Sequence, residues 1–335
     1  MKPIQDIFPQ LKEAGKVAIT MHQKPDADAM GSALGLYHFL SKFGHSVTVV
    51  SPTNWAGWLN WMPGCKGVLN YDRDTQKANA ILDEADYLFC LDFNVFHRTK
   101  SLSPKLYEIK ATKILIDHHK EPDVASFDYG VSNALKSSTC EMIYDFMQEM
   151  GYEEMLDADI STCLYAGIVS DTGSFRFGCT TASVHKIVAK LMSTGIDHTV
   201  IHSNLFDNFL ENRLRFMGHI LTNRLTFFYE YNTALIAVPK EDIYRFEIKT
   251  GDTEGLVNLP QAVQGIKLVG MVIDRDEERK WSFRSKGDFD CNTFARQYFN
   301  GGGHFNASGG NSKDSLQQTV EKFKQALREN ENFLK

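Results

Sequence analysis

Residues 113–123 read KILIDHHKEPD, and this stretch decides how the first half of the chain folds. The three consecutive aliphatic residues at 114–116 are typical of a strand that is buried on both faces of a parallel sheet. The strand runs directly into Asp117, His118 and His119, which are poor residues for a strand or a core. These side chains therefore either cap the strand at a hydrated surface or hold a charged ligand.

The rest of the first half alternates apolar runs with helical patterns. Further strands of the same apolar kind are predicted at residues 16–20, 46–51 and 85–93. Helices are predicted at residues 29–43, 137–150, 158–171 and 181–195. Because apolar strands separated by helices suit a sheet that is covered on both faces, residues 1–196 are predicted to form an α/β domain, doubly wound around a mainly parallel sheet.

The pattern changes in the second half of the chain. Residues 197–224 are polar and helical and are rich in Asn, His and Arg, which is typical of a connector. Beyond them, hairpin-like strands surround Asn232, and an amphipathic helix is predicted at residues 314–330. Residues 225–335 are therefore predicted to form a smaller α+β domain.

The composition limits the class of protein to which the chain can belong. Of its 335 residues, 43% are apolar and 23% are charged, as in a soluble globular protein. The sequence contains no apolar run near the roughly 20 residues of a membrane span and no pattern of a secretory signal, so we expect a cytoplasmic protein. The six cysteines form no CxxC pair, which favours reduced thiols over a zinc site.

The net charge bears on the size of any nucleic-acid partner. The formal charge is −6 at pH 7, and the sequence has no basic stripe of the kind that grips long nucleic acid. A polyanionic substrate is therefore expected to be small, or to be held by local basic groups and metal ions.

Acidic and histidine side chains end four of the apolar segments. They are His22, Asp26 and Asp28 after the first strand, Asp92 at the end of the strand 85–93, Asp117, His118 and His119 in the opening stretch, and Asp171 at the end of a helix. Taken singly, each group has a structural explanation, because Asp commonly caps helices and forms turns. Those that follow strands are nevertheless expected at one edge, since ligands of open α/β sheets gather outside the carboxyl ends of the strands.

The residue types at this edge favour a site for two metal ions. Carboxylates with neutral imidazole suit Mn²⁺, Mg²⁺ or a related divalent ion. Two such ions would balance the charges of four aspartates, namely Asp26, Asp28, Asp92 and Asp171. Without metal, the clustered carboxylates would repel one another, and their pKa values would rise.

These segments resemble the motifs of a known family. The motifs HxxxDxD at 22–28, LD at 91–92, DHH at 117–119 and SDTG at 170–173 are similar to those of the DHH phosphoesterase superfamily. The stretches WSFRS at 281–285 and GGGHFNASGG at 301–310 resemble its associated DHHA1 domain. The length and layout are most similar to the nano-RNase branch, the small oligoribonucleases that also dephosphorylate 3′-phosphoadenosine 5′-phosphate.

The resemblance implies two divalent cations, with Mn²⁺ as the first choice and Mg²⁺ or Co²⁺ as alternatives. One ion would be held by His22, Asp26 and Asp92. The other would be held by Asp28, Asp92, His118 and Asp171, so that Asp92 bridges the two ions. His119 would face the substrate phosphate. The resemblance also implies a substrate-binding set in the second domain, comprising Arg284, Ser285, Gly301, Gly302, Gly303 and His304.

Neighbouring residues have more than one interpretation. Asp117 is expected to orient the adjacent histidines. Positive charge at the substrate phosphate would come from a protonated His119, Arg98 or Arg176, although both arginines are equally typical of surface salt bridges. Residues 301–303 either present backbone N–H groups as a phosphate nest or form a plain turn. Asn300, where the family often has Gly, tolerates a positive φ.

The leading expectation is a Mn²⁺-dependent phosphoesterase with a two-metal activated water. It would hydrolyse short oligoribonucleotides to mononucleotides and dephosphorylate 3′-phosphoadenosine 5′-phosphate. Hydrolysis of linear or cyclic dinucleotides (pApA, cyclic di-AMP) is an alternative, and hydrolysis of inorganic polyphosphate or pyrophosphate is another. A nucleotide-binding module without catalysis is disfavoured, because all six expected metal ligands are present. Short oligoribonucleotides and nucleotide phosphates are the expected partners, long duplexes and membranes are not, and a homodimer is left open.

Overall fold

The strand of the opening stretch lies inside a sheet whose neighbouring strands all run parallel. In the computed structural model, which describes residues 1–275 and 278–335, this sheet belongs to a unit formed by Met1–Asn208. Its strands are β1 (Lys2–Pro3), β2 (Lys16–Met21), β3 (Ser46–Ser51), β4 (Leu69–Asn70), β5 (Tyr87–Leu91), β6 (Thr112–Asp117) and β7 (Tyr129–Ser132). The predicted parallel α/β architecture is confirmed.

The order of the strands creates a switch point at the centre of the sheet. The spatial order is β1-β7-β6-β5-β2-β3-β4, so the chain first builds outward from β2 on one side and then returns to the other side with β5. The last paired residues of these two central strands are Met21 and Leu91. His22 and Asp92 follow them directly, at the position where open α/β sheets bind ligands.

Helices cover both faces of this sheet. They are α1 (Ala27–Ser41), α2 (Thr75–Glu84), α3 (Ser103–Glu108), α4 (Thr139–Glu149), α5 (Ala158–Asp171), α6 (Ala182–Met192) and α7 (His198–Phe206). In β6, Ile114 and Ile116 pack in the core that contains α1, α4 and α5, whereas Leu115 packs in the core that contains α2 and α3. Successive side chains of a strand point to opposite faces, which explains why this strand has to be apolar without interruption.

Helix α1 begins two residues before the predicted start at residue 29. The carboxylate of Asp26 accepts hydrogen bonds from the N–H groups of Asp28 and Ala29, both at 3.0 Å, and so caps the helix at an earlier position. An N-cap side chain of this kind satisfies backbone donors that have no partner within the helix.

Glycines allow α1, α4 and α5 to approach one another closely. A Cβ atom on Gly31 of α1 would lie 2.4 Å from the carbonyl oxygen of Cys163 in α5. A Cβ atom on Gly167 of α5 would lie 2.2 Å from Sγ of Cys140 in α4. Both distances are too short for real atoms, so the packing of these helices requires glycine at both positions.

The second unit, Phe209–Lys335, has a six-stranded mixed sheet. Its strands are β8 (Leu225–Phe228), β9 (Thr233–Val238), β10 (Leu268–Asp274), β11 (Arg279–Ser285), β12 (Gly302–His304) and β13 (Ala307–Ser312). Their order is β12-β13-β11-β10-β9-β8, and every neighbouring pair is antiparallel except β9 and β10. Its helices are α8 (Glu211–Asn223), α9 (Lys240–Arg245), α10 (Cys291–Phe299), α11 (Leu316–Glu329) and α12 (Glu331–Leu334). The predicted α+β class of this part is confirmed.

Aromatic side chains form the core on one face of this second sheet. The rings of Trp281 and Phe283 stack with their centroids 5.2 Å apart, and the ring of Phe323 from α11 stacks on Trp281, also at 5.2 Å. All three side chains are fully buried. Such large buried rings contribute much of the apolar area that stabilises a domain of this size.

The boundary between the two units falls between Asn208 and Phe209, within the segment 197–224 that is predicted as a connector. Helix α7 belongs to the first unit and α8 to the second, and the extent of the connector stays a prediction. Among the described residues, none of the helices combines the length and the apolar character that crossing a membrane requires.

The close packing of α1 against α5 can be tested with Gly31→Ala. This substitution should lower the free energy of unfolding by about 1–3 kcal/mol, because the added methyl group forces the helices apart. Gly218→Ala in α8 is the control: its Cβ would meet no atom within 4 Å, so it should raise stability by roughly 0.5–1 kcal/mol through helix propensity. Urea unfolding followed by circular dichroism measures both. A Gly31→Ala protein as stable as the parent would contradict this account of the packing.

Candidate metal centre

The six predicted metal ligands come together at the carboxyl edge of the first sheet. They come from the residues after β2, β5 and β6, from the first turn of α1 and from the last residue of α5. Within this set, two groups of three residues have ligand atoms that all lie within 4.8 Å of one another: His22, Asp26 and Asp92, and Asp28, Asp92 and His118. Asp92 is the member that both groups share.

The first group centres on Nε2 of His22. This atom lies 3.3 Å from Oδ2 of Asp92 and 3.7 Å from Oδ2 of Asp26. The other ring nitrogen, Nδ1, lies 2.8 Å from the carbonyl oxygen of Gln23, to which it donates, so the ring is oriented with Nε2 towards the two carboxylates. Asp26 has two functions at once, because its Oδ1 caps α1 while its Oδ2 faces His22.

The second group centres on Nε2 of His118. This atom lies 3.3 Å from Oδ1 of Asp92, 3.5 Å from Oδ2 of Asp171 and 3.8 Å from Oδ2 of Asp28. Its Nδ1 lies 3.4 Å from the carbonyl oxygen of Lys136. The ring thus presents Nε2 to the three carboxylates.

Asp92 sits on a strained backbone between the two groups. Its φ is +61°, an uncommon value for a residue with a side chain, and only 2% of its surface is exposed. Its N–H donates to the carbonyl oxygen of Ile116 at 3.2 Å, which holds the turn against the end of β6. Backbone strain of this kind persists only where the surroundings fix it and is concentrated at functional sites.

Asp117 orients only one of the two adjacent histidines. Its Oδ1 accepts a hydrogen bond from Nδ1 of His119 at 2.7 Å. The expectation that it orients both is wrong for His118, whose Nδ1 faces Lys136. The reason is that Asp117 ends β6 fully buried and reaches the ring two residues ahead, while the loop that contains Lys136 covers the intervening ring.

Burial and charge shift the pKa values of the cluster in opposite directions. Burial lowers the pKa of His22, but hydrogen bonds to Asp26 and Asp92 outweigh it and raise that pKa to about 10. Burial raises the pKa of Asp28 to about 7, with the charge of Asp92 adding to the effect. Burial also raises the pKa of Asp171 well above its usual value, together with the charge of Asp28. Burial alone would raise the pKa of Asp92. Hydrogen bonds from His118 and His22 outweigh that effect and hold this pKa well below the ordinary range.

His119 is expected to be neutral at pH 7. Burial lowers the pKa of its ring more than the hydrogen bond to Asp117 raises it, and the charge of Arg98 lowers it further. The lowered pKa disfavours a protonated His119 in the protein without ligands, and the charge of Arg98 acts on this ring. Arg176 is exposed, and its Nε donates to the carbonyl oxygen of Gly173 at 2.7 Å, so this hydrogen bond lies within its own turn.

The second unit brings together most of the predicted substrate-binding residues. Arg284 and Ser285 end β11, which pairs with β13, and β13 pairs in turn with β12, which contains Gly302, Gly303 and His304. The Nη1 atom of Arg284 donates to the carbonyl oxygen of Phe283 at 2.9 Å. The hydroxyl of Ser285 is already used inside the unit, because it donates to the carbonyl oxygen of Phe289 at 2.7 Å and accepts from Asn306 at 2.9 Å.

Close backbone packing explains two of the three glycines at 301–303. The N–H of Gly301 donates to the carbonyl oxygen of Ala295 at 3.1 Å, and that of Gly303 donates to Oδ1 of Asn292 at 2.8 Å. A Cβ atom on Gly301 would lie 2.0 Å from the carbonyl oxygen of Gly309. Two of the three expected nest donors are thus occupied. Asn300, which follows the last residue of α10, has a φ of +46°, a conformation that Asn tolerates.

The donor set fits divalent cations that prefer oxygen and nitrogen. Four buried or partly buried carboxylates and two imidazoles converge, and two of the carboxylates have pKa values raised by burial and by their neighbours. Unpaired buried charges are costly. A cation that binds this cluster would displace protons from it and would also relieve the repulsion between its carboxylates. The acidic and histidine residues after the strands were predicted from the sequence, but Thr139 and Cys140, whose N–H groups contact Asp28, were not. The signal available was the small polar pair Ser138-Thr139 before an apolar helix.

Two family models match the chain, one in each half. The model described as "DHH family, N-terminal domain" matches residues 16–168. The model described as "DHHA1 domain" matches residues 232–335. The first range contains the edge of the sheet on which the candidate ligands from β2, β5 and β6 lie.

Several known proteins are similar to this chain over nearly all of its length. The "Bifunctional oligoribonuclease and PAP phosphatase NrnA" of Thermus thermophilus is 28% identical over 94% of this chain and 90% of its own. The crystal structure of an exopolyphosphatase-related protein from Bacteroides fragilis is 37% identical, with a TM-score of 0.93 over 98% of this chain and 97% of that one. A structure of RecJ in complex with Mn²⁺ from Thermus thermophilus has a TM-score of 0.57 at 14% identity, over 99% of this chain and 55% of that one, which shows the fold alone.

The raised pKa of His22 can be tested by measuring the free energy of unfolding in the presence of a chelator, which keeps the protein free of metal. The pKa of His22 is raised in the folded protein. The charged ring therefore stabilises the fold fully below the pKa of the unfolded chain, about 6.5, and this stabilisation is lost as the pH rises through about 10. His22→Gln should therefore lower the free energy of unfolding at pH 6 by about 3 kcal/mol, with a smaller loss at pH 9.5.

Denaturant unfolding at the two pH values measures this difference. The control is His97→Gln, which replaces an exposed histidine in the loop after β5 and should change stability little at either pH. Equal losses for His22→Gln at pH 6 and pH 9.5 would contradict the assigned pKa direction.

Proposed function

The chain belongs to the DHH family of phosphoesterases and carries a DHHA1 domain, and on this premise we propose that it is a two-metal hydrolase of short oligoribonucleotides. In this proposal it cleaves such oligonucleotides to mononucleotides and also removes the 3′-phosphate of 3′-phosphoadenosine 5′-phosphate. The observation that carries the proposal is the carboxylate of Asp92, whose Oδ2 faces His22 and whose Oδ1 faces His118.

The proposed ligands divide into two sets that share Asp92. His22, Asp26 and Asp92 would hold one divalent cation. Asp28, Asp92, His118 and Asp171 would hold the other. When bound, two such cations lower the pKa of a water molecule and neutralise charge on phosphate oxygens, and Mn²⁺ is the proposed ion, with Mg²⁺ or Co²⁺ as alternatives.

Residues of the chain itself orient this chemistry. The Nδ1 atoms of His22 and His118 face backbone carbonyls, so Nε2 of each ring faces the carboxylates, where it would offer a lone pair to a bound cation. Asp117 fixes the ring of His119 by its short hydrogen bond and leaves Nε2 as the proposed contact to the substrate. A nearby phosphate anion would favour protonation of this ring, and Nε2–H would then donate to a phosphate oxygen. The charge that acts on His119 from Arg98 would favour an anionic group at the same place.

The proposed substrate class rests on relatives and on charge. A relative that aligns with 94% of this chain is named as an oligoribonuclease and PAP phosphatase. The formal charge of −6 supports short substrates, because proteins that bind long nucleic acid usually carry a basic surface. The cytoplasmic location, the exclusion of long duplexes and the homodimer stay predictions.

A second candidate function is hydrolysis of inorganic polyphosphate. It is favoured by one observation: the 37% identical protein of known structure is described as exopolyphosphatase-related. Linear and cyclic dinucleotides remain alternatives within the same chemistry, since they would use the same cluster.

The substrate proposal can be tested with a panel of phosphate compounds in Mn²⁺. We expect rapid turnover of di- to pentaribonucleotides and of 3′-phosphoadenosine 5′-phosphate, with much slower turnover of a 24-mer, cyclic di-AMP and polyphosphate. Chromatography of the products gives the rates. Preferred turnover of the 24-mer or of polyphosphate would contradict the substrate class.

The two-metal proposal can be tested with Asp92→Asn. Because the proposed bridge loses its charge, kcat should fall by about a thousandfold, and a chelator should abolish the activity of the parent protein. The control is Asp6→Asn, at an exposed position near the N-terminus, which should retain parental rates. Full activity in Asp92→Asn, or in chelator, would contradict the proposal.

The role proposed for the second unit predicts a different kinetic signature. Arg284→Gln should raise KM for a diribonucleotide about tenfold and change kcat little, since a contact made equally in the ground and transition states affects binding alone. Arg328→Gln, on the exposed face of α11, is the control and should leave KM unchanged. A fall in kcat at unchanged KM would count against a binding role for Arg284.

A further inference from the structure

The first turn of α4 contacts the candidate metal centre through its backbone. The N–H of Thr139 donates to Oδ2 of Asp28 at 2.7 Å, and the N–H of Cys140 donates to Oδ1 of the same carboxylate at 2.9 Å. Both oxygens of Asp28, which is fully buried, are thus held by the positive end of a helix. This pair of hydrogen bonds fixes the plane of the Asp28 carboxylate.

The side chain of Thr139 contacts the other group of ligands. Its hydroxyl donates to Oδ1 of Asp92 at 3.0 Å, and Thr139 itself is fully buried. The same Oδ1 atom lies 3.3 Å from Nε2 of His118, whereas Oδ2 of Asp92 lies 3.3 Å from Nε2 of His22. The hydroxyl thus contacts the Asp92 carboxylate on its His118 side, in a position to hold the rotation at which its two oxygens face the two histidines.

We propose that Thr139 is a positioning residue that couples the two metal groups by fixing the rotation of the shared Asp92 carboxylate. This inference rests on the proposed function, because the ligand role of Asp92 is part of that proposal. Thr139 acts through Asp92 with its hydroxyl and through Asp28 with its N–H, so one residue sets the geometry of one carboxylate in each coordination set.

The segment before α4 is held in a manner that suits this function. The carboxylate of Glu141 is buried and accepts hydrogen bonds from the N–H of Ser137 at 2.8 Å and from its hydroxyl at 2.7 Å. It also accepts from Nζ of Lys136 at 2.9 Å. The carbonyl oxygen of Lys136 faces Nδ1 of His118, so a third ligand is oriented from the same place. A polar network in which each member is satisfied is rigid.

The alternative is that Thr139 only anchors α4 to the end of β5. The two roles differ in what a loss of the hydroxyl would change. An anchor contributes to stability, whereas a positioning group also changes the affinity for metal, because groups that orient ligands typically contribute 10- to 100-fold to metal affinity.

The test compares Thr139→Val, which keeps the shape and the N–H but loses the hydroxyl, with Thr139→Ser, which keeps the hydroxyl. Binding of Mn²⁺ alone to the metal-free full chain is followed by the electron paramagnetic resonance signal of free Mn²⁺. We expect Thr139→Val to bind Mn²⁺ about tenfold more weakly and Thr139→Ser to bind it as the parent does. At saturating Mn²⁺, kcat of Thr139→Val for a diribonucleotide should fall while KM stays near the parental value.

The matched control is Thr75→Val. Thr75 is also the first residue of a helix, and its hydroxyl donates to the carbonyl oxygen of Tyr71 at 2.6 Å. This variant should bind Mn²⁺ as the parent does. Thermal unfolding of each metal-free variant separates loss of folding from loss of affinity, and Thr139→Ala provides the same comparison if Thr139→Val does not fold.

The outcomes separate this inference from the proposed function. Equal Mn²⁺ affinity of the parent, Thr139→Val and Thr139→Ser would overturn the inference and leave the function standing. A parent protein that binds no Mn²⁺ would overturn the proposed function and the inference with it. Weaker binding by Thr139→Ser equal to that of Thr139→Val would show that keeping the hydroxyl does not preserve the affinity, and would also overturn the inference.

Discussion

The carboxylate of Asp92 is the constraint on which the rest of the first unit depends. It is buried among three other aspartates, and charges in such a place are stable only when they are paired, hydrogen-bonded or bound to cations. The protein meets this demand with His22 on one oxygen and His118 on the other, and it accepts a strained backbone at Asp92 to achieve both contacts. The ends of β2, β5 and β6 have to meet for this to happen.

Both the strand ends and the helix N-termini contribute to the surroundings of Asp92. The switch of strand order places the ends of β2 and β5 side by side, so residues that are 70 apart in sequence become neighbours. The first turns of α1 and α4 then bring backbone N–H groups to Asp26 and Asp28, respectively. Helix N-termini stabilise negative charge, and the glycines between α1, α4 and α5 allow these helices to approach closely enough to converge on one small volume.

The sequence predicted much of this arrangement but not its details. The strand periodicity and the polar ends of the strands predicted the parallel sheet and the edge where the candidate ligands lie, because burial on both faces requires an uninterrupted apolar run. It did not predict that Asp117 serves only His119, or that the N–H groups of Gly301 and Gly303 are used inside the second unit. Both depend on which atom of a distant segment arrives at a given side chain, and a local pattern contains no such information.

The sequence by itself determined the fold class, the kinds of ligand atom and the family, since these follow from periodicity, residue chemistry and motif spacing. Only the tertiary structure decided that Asp92 faces both His22 and His118, that the charge of Arg98 lowers the pKa of His119, and that Thr139 joins the cluster. The physical reason is that hydrogen bonds and pKa values depend on distances of a few ångströms and on burial. Thr139 lies 47 residues from Asp92 in the chain, and the packing of α4 against the sheet alone brings its hydroxyl to 3.0 Å from that carboxylate.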